Sequence, residues 1–516
     1  PWPTGNTNLS EITEQSEWLA PLYLYNDLNE DFTLNQTEHK KNKARISLSE
    51  AGFYTIYKSN GDSIRFVVYD KERGELEWGL PKHAPEFVAS SSIESTFEIM
   101  HPKNWVQGLN FPIAVREINW TAQSCTNLSA RFEDKIWTNV KAGMGSGWVQ
   151  LNSESKAHLQ IGNQAFEIEA KKLENPDFTW TSAPEASINI PDNSMLAITK
   201  NIEIKSDIEI IFNPGTIVLI SPGVTITVNG KLTFNGTSEN PIWVGCSKPS
   251  DYFGGFILND TRISAQHTFF TQFGKNTGEG FSYGHAKRQA LIHGKKSIFE
   301  ANNCYFMDSP GQVFFMDQSM LKLQDCLVQR VKTGGQANYG EVRFSSCYFS
   351  DFPDDTPTFR DEDNDAYYLL GSNASIENSA FMYAKDDGID SGGEEGGTIS
   401  VHNCRFEACF HEGLALSSGN QVKKVHHISD CTFRNCQQGV ELGYSSPNHI
   451  VTVQNCIFDS NIIGVRYGDN YKRAVEGQMH VDGCTFENNT KSTWNMLRAN
   501  WMPQKEKLFL SNCYFK

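Results

Sequence analysis

No stretch of this chain approaches the roughly 18 consecutive apolar residues that mark a membrane-crossing helix, so none is expected. Basic residues are scarce: 45 Lys and Arg stand against 61 Asp and Glu, a formal net charge of −16. No basic stripe appears, and phosphate binding needs one, which excludes a nucleic-acid partner. An acidic surface is also a poor match for an anionic membrane. Long helical patterns are few, and no His pair completes a zinc site with the cysteines. An initial Met and an apolar leader are missing ahead of Pro1. A processed or shortened form is expected, and secretion is not read directly from the chain.

What is present points to β-structure. The 516 residues leave room for two to four domains and a large core. Forty Gly and 33 Phe lean toward an all-β chain. Twelve cysteines would suggest disulfides in a small secreted protein, but their spacing indicates something else.

One phrase recurs from residue 300 onward: "NCYF", "DCLV", "SCYF", "NSAF", "NCRF", "DCTF", "NCIF", "GCTF" and again "NCYF". It places Cys or Ser at 304, 326, 347, 379, 404, 431, 456, 484 and 513, at intervals of 21 to 32 residues. Cys and the large apolar residue two positions on share one strand face. The Asn or Asp before them suits a bend with locally hydrogen-bonded or left-handed backbone. Stacked coil on coil, this is a right-handed parallel β-helix whose cysteines are small interior hydrophobes. Cys409 and Cys436, each five residues after a ladder cysteine, are candidates to pair with each other.

The alternating strands and Pro-Gly and Asn-Gly turns of 188–246 read as the first coils. The expected organisation is an N-terminal β-sandwich module over 1–95 and a second β-rich module over 96–184. A β-helix of about 13 coils follows over 185–516. Trp105 and Trp148 in the second module are candidate carbohydrate contacts, although packing is the commoner role for such aromatics.

A second phrase runs in register between the cysteine phrases: "NDAYYL" (364–369), "DDGIDS" (386–391), "HEGLAL" (411–416), "QQGVEL" (437–442) and "IIGVRY" (462–467). It stacks Asn364, Asp386, His411, Gln437 and Ile462 in one column, and Asp365, Asp387, Glu412, Gln438 and Ile463 in the next. A third column holds Tyr368, Asp390, Ala415, Glu441 and Arg466. Carboxylates are thus concentrated on one face of a rigid solenoid, a few coil spacings of ~4.8 Å apart. Glycoside hydrolysis uses a protonated carboxyl and a second carboxylate, and mutual repulsion raises one pKa to produce the acid. Solvated turn chemistry is the alternative reading of "DDG" taken alone. Strict alternation also sets a difficulty: with Ile389 pointing inward, Asp387 should point inward too, unless Gly388 bends the strand.

On "DND" (363–365), "KDDGID" (385–390) and "FHEGLALSSG" (410–419) the chain resembles pectate-lyase-like β-helix enzymes that degrade polysaccharides. The pattern is closest to the polygalacturonase family of glycoside hydrolases. The resemblance implies Asp386 as general acid, Asp365 and Asp387 as holders of the attacking water, and His411 tuning them, with inversion at the anomeric carbon. Glu412 takes the place of the family histidine when the Gly-Leu step is aligned. Glu441 stands where an arginine is expected, and Arg466 arrives one coil late without a partner lysine. Tyr368, Asp390, Glu441, Arg466 and Tyr467 are the expected substrate contacts. The expected substrate is therefore an acidic or sulfated polysaccharide such as carrageenan, fucoidan or a pectin-like polymer. A secreted, cell-surface or periplasmic bacterial location is implied.

Two rivals stand beside the hydrolase. A polysaccharide lyase would use the same acids to hold Ca²⁺, with Asp365, Asp386, Asp390 and Glu394 as ligands and Tyr368, His411 or Arg466 as base or neutraliser. The acidic run "DFPDDTPTFRDEDND" (351–365) fits a calcium loop or a solvated insertion equally. A non-enzymatic β-helix adhesin would show repeats without a privileged coil. No metal ligand set is fixed by sequence, no cofactor is required by the hydrolase, and Ca²⁺ is an optional one.

Overall fold

A computed structural model of the protein describes residues 171–276, 289–352, 364–393, 397–409, 411–419, 422–468, 473–495 and 507–516. It also describes most of 97–170 and strand segments within 4–69. No α-helix occurs among them. From Phe178–Trp180 onward each coil adds parallel strands to the coil before. One strand position stacks into a 13-stranded sheet from Ile188–Ile190 to Leu508–Ser511. The others stack into a 24-stranded sheet ending at Tyr514–Phe515. This is a parallel β-helix, right-handed as parallel crossovers are. Its first strand lies slightly ahead of the expected start at residue 185.

The repeat phrase explains the coil. Asn303, Asp325, Ser346, Asn403, Asp430, Asn455, Gly483 and Asn512 each precede a ladder cysteine with φ between 51° and 65°, and Asn378 precedes Ser379 at 44°. Short polar side chains and Gly tolerate that left-handed bend best. The thiols of Cys304, Cys326, Cys347, Cys404, Cys431 and Cys456 then donate to the carbonyl two residues back, at 3.1 to 3.4 Å. Ser379 replaces cysteine because its hydroxyl does the same at 2.8 Å. Phe349, Phe381, Phe406, Phe433, Phe458, Phe486 and Phe515 stack with centroids 4.9 to 5.2 Å apart and planes within 20°. Every described cysteine is a free thiol, so the expected pairing of Cys409 with Cys436 does not form. The Cys436 thiol donates instead to the Arg434 carbonyl.

The second module is two antiparallel sheets, three and four strands wide. Along the central strand Phe111–Glu117 the faces alternate. Phe111, Ile113 and Val115 meet Leu159, Ile161 and Ile168 of the other sheet. Ala114 faces the solenoid, where Met100, Trp120 and Met144 pack on Trp243, Phe269, Tyr305 and Tyr348. Arg116 bridges to Asp325 at 2.7 Å, and the Trp148 indole donates to Asp308 at 2.7 Å. Trp105 is buried in the module core. Both candidate carbohydrate tryptophans are therefore committed to packing. The described strands of 4–69 form one seven-stranded mixed sheet, and the second sheet of the expected sandwich is not among the described residues.

Candidate active site

Five stacked strands, with the residues just ahead of them, position the site: β1 (Tyr367–Leu370), β2 (Ile389–Gly392), β3 (Glu412–Ser418), β4 (Gln438–Ser445) and β5 (Ile463–Tyr467). Tyr368 pairs with Asp390, Glu412 with Gln438 and then Ile463, and Ala415 with Glu441 and then Arg466. Backbone bonds from Ala366 to Asp387 and from Gly388 to Glu412 place Asp365, Asp387 and Glu412 in one column.

The alternation difficulty resolves at glycine. A Cβ on Gly388 would lie 2.5 Å from the Gly413 carbonyl and 2.8 Å from Phe406. Gly413 faces Phe433, Gly439 faces Phe458, and Gly464 faces Phe486 in the same way. Each glycine thus points inward over the Phe stack, and its predecessor, Asp387, Glu412, Gln438 or Ile463, points out. Ile389, Leu414, Val440 and Val465 follow, also inward. Two successive inward positions break the period of two, and only a hydrogen fits at the first.

The ring of His411 is the hub of the cluster. Its Nδ1 lies 2.6 Å from Glu412 Oε2, 3.4 Å from Asp386 Oδ1 and 3.6 Å from Asp387 Oδ1. Asp387 Oδ1 accepts the Glu412 backbone N–H at 2.7 Å, and the Asp387 N–H reaches Asp365 Oδ1 at 3.3 Å. Asp365, Asp386, Asp387 and Glu412 are all buried, while His411 and Asp390 are half-buried. Burial pushes the Asp387 carboxyl well above the usual carboxylate range, and the charges of Glu412 and Asp386 push the same way. Glu412 is also held well above its usual range, first by burial and then by Glu441.

A second tier supports Glu412. Gln438 Nε2 donates to Glu412 Oε1, while Gln438 Oε1 accepts from Arg466 Nη1 at 2.9 Å. Arg466 also pairs with Glu441 at 3.0 Å and stands 3.8 Å from Glu412. Asn364 and Gln437, in the column of Asp386 and His411, are buried with both side-chain polar atoms lacking protein partners. Buried amides are normally bonded to protein or ordered water.

All five residues expected to be catalytic, Asp365, Asp386, Asp387, His411 and Glu412, are thus brought together. The expected substrate contacts divide. Asp390 and Tyr368 lie side by side on β2 and β1. The Arg466 guanidinium and the Glu441 carboxylate are committed to each other. Tyr467 must be withdrawn: it is buried in the solenoid core, where its hydroxyl donates to the Gly477 carbonyl at 3.1 Å. Residue 466 faces out, so its neighbour faces in. Tyr444 and Arg473 fall outside the "GV" phrases, and the sequence did not single them out. Asp386, Asp387 and His411 offer ligand atoms within 4.8 Å of one another. Two carboxylates and an imidazole depart from the all-oxygen set calcium takes. Glu394 and residues 353–363 of the acidic run 351–365, Asp363 among them, lie outside the described residues.

Residues 289–451 and 358–490 match the family model described as the right-handed beta helix region. Among solved structures the chain is similar to an alginate lyase from Paenibacillus sp. str. FPU-7. The likeness is 10% in identity, covers 58% of this chain and 93% of that one, and has a TM-score of 0.23. No curated protein matches the chain.

Proposed function

We propose that the chain is a polysaccharide-cleaving enzyme that hydrolyses a glycosidic bond at the His411-centred carboxyl cluster. One observation carries the reading: a single imidazole nitrogen lies within 3.6 Å of three carboxyl groups from adjacent coils. A structural turn has no need of that convergence of like charge. It also supplies what glycoside hydrolysis requires, a carboxyl whose hold on its proton is strengthened by burial, beside another positioned oxygen.

Environment divides the roles. Asp387, whose pKa burial raises, is the proton donor to the leaving oxygen. Asp386 presents an Oδ1 that accepts no hydrogen bond and faces the ring of His411. The two offer oxygens within 4.8 Å, below the about 6.5–9.5 Å that leaves room for water in inverting enzymes and near the about 5–5.5 Å of retaining ones. This spacing favours retention, with Asp386 as nucleophile and Asp387 as acid, over the inversion and the Asp386 acid that the resemblance implies. His411, bonded to Glu412, carries protons between the cluster and its open side. Proton NMR of the first-formed product anomer tests the stereochemistry.

A second reading has one observation in its favour. Asp387 and Glu412, both with raised proton affinity, could hydrogen-bond a uronate carboxylate while His411 takes the proton from the neighbouring carbon, the glycosidic C–O bond breaks to leave a C=C bond, and the departing oxygen is protonated, which is β-elimination. Unsaturated products would establish it.

A further inference from the structure

We infer that Arg473, laid on the ring of Tyr444, is a subsite for an anionic substituent of the polymer, a carboxylate or a sulfate ester. The inference deepens the proposed function by assigning the charge of the substrate to a residue.

In this acidic chain the described arginine side chains are almost all taken. Arg116, Arg262, Arg330, Arg343, Arg405, Arg434 and Arg466 each pair with a carboxylate. Arg473 is exposed, and no carboxylate partner stands against it among the described residues. Its guanidinium lies 4.5 Å from the centroid of the Tyr444 ring. Stacking on an aromatic face leaves the edge of the planar fork directed at solvent, where it suits bidentate recognition of carboxylate or sulfate oxygens.

The platform is fixed to the active-site strands. Tyr444 belongs to β4, the strand of Gln438 and Glu441, and its hydroxyl accepts the Gly393 N–H at 3.0 Å. A Cβ on Gly392 would meet the Tyr368 hydroxyl at 2.9 Å and the Tyr444 hydroxyl at 3.2 Å, so β1, β2 and β4 converge there. The cation thus stands at one end of the strands whose other end holds the acid cluster. Arg466 cannot fill this role, because two glutamates already occupy its guanidinium.

The test is affinity electrophoresis of the full chain through gels holding alginate (carboxylate), carrageenan (sulfate) or uncharged agarose. Arg473→Gln and Arg343→Gln are compared with wild type, the second removing an exposed cation already paired with Glu341. Wild type should be retarded by a charged polymer, with the more retarding gel naming carboxylate or sulfate. Arg473→Gln should weaken that binding at least tenfold, and Arg343→Gln should not. Equal binding by Arg473→Gln, equal losses in both variants, or no retardation of wild type in either charged gel would overturn the assignment. Product assays on the same samples keep the two claims apart. Binding lost in Arg473→Gln with no polymer cleaved removes the hydrolase and leaves the subsite standing.

Discussion

His411 Nδ1 lies 2.6 Å from Glu412 Oε2, a contact between sequence neighbours that alternation would send to opposite faces of a strand. It exists because β3 begins only at Glu412 and the preceding bend turns the imidazole toward the same side. One ring nitrogen thereby offsets carboxyl charge from adjacent coils, and the cluster holds and passes protons as a unit.

Asp387→Asn keeps the oxygen that accepts the Glu412 N–H and removes the acid. Turnover should fall about 10²–10⁴-fold, the usual worth of a positioned general acid. The folded-state pKa of Asp387 is raised, so its contribution to stability is complete below the unfolded value near 4 and is lost as pH rises toward the folded one. Thermal melts should therefore show Asp387→Asn gaining on wild type as pH rises above about 4. A constant difference across that range would remove the buried-acid assignment.

Gly413→Ala places a methyl group 2.8 Å from both the Gly439 carbonyl oxygen and the ring of Phe433. Overpacking of this kind costs about 1–3 kcal/mol. Urea titration should show that loss, with activity falling further because the Asp387–Glu412 alignment shifts with the strand.

His426 and His449 pack against each other inside the solenoid with centroids 4.5 Å apart and planes tilted by 60°, and both are depressed by burial, His449 to about 4. A lowered histidine pKa means the unfolded chain takes up the proton first. Stability is whole above about 6.5 and declines as pH falls toward 4, by about 3 kcal/mol for a shift of this size. His449→Phe should flatten the acid limb of the melting profile. An unchanged limb would place the acid sensitivity elsewhere.

Trp148→Ala should lower the melting temperature without weakening polysaccharide binding, because the indole packs on the solenoid and donates to Asp308. Binding lost at unchanged stability would restore its role as a carbohydrate contact.

The coil was legible because it rests on local chemistry repeated many times: a left-handed Asn, a small thiol or hydroxyl, and a stacking Phe. The acid columns were legible for the same reason, since register fixes which residues are neighbours. The direction of Asp387 was not, because the period of two fails at Gly388, where a glycine and the next residue both face the core. Tyr467 was misjudged by placing it beside the outward Arg466. Arg473 lies between repeat phrases, and its value depends on which other cations are already paired, which only three-dimensional contacts reveal. The docking of the second module rests on one alternating strand whose second apolar face gave no sign of its partner.

The central claim is tested most directly by assaying wild type and Asp386→Asn on a panel of pectic, alginate, carrageenan and fucoidan polymers. New reducing ends and the ultraviolet absorbance of unsaturated uronates would be followed together. The account predicts reducing ends without that absorbance for wild type, and neither signal for a folded Asp386→Asn. Absorbance rising with the reducing ends, or Asp386→Asn cleaving at the wild-type rate, would contradict it.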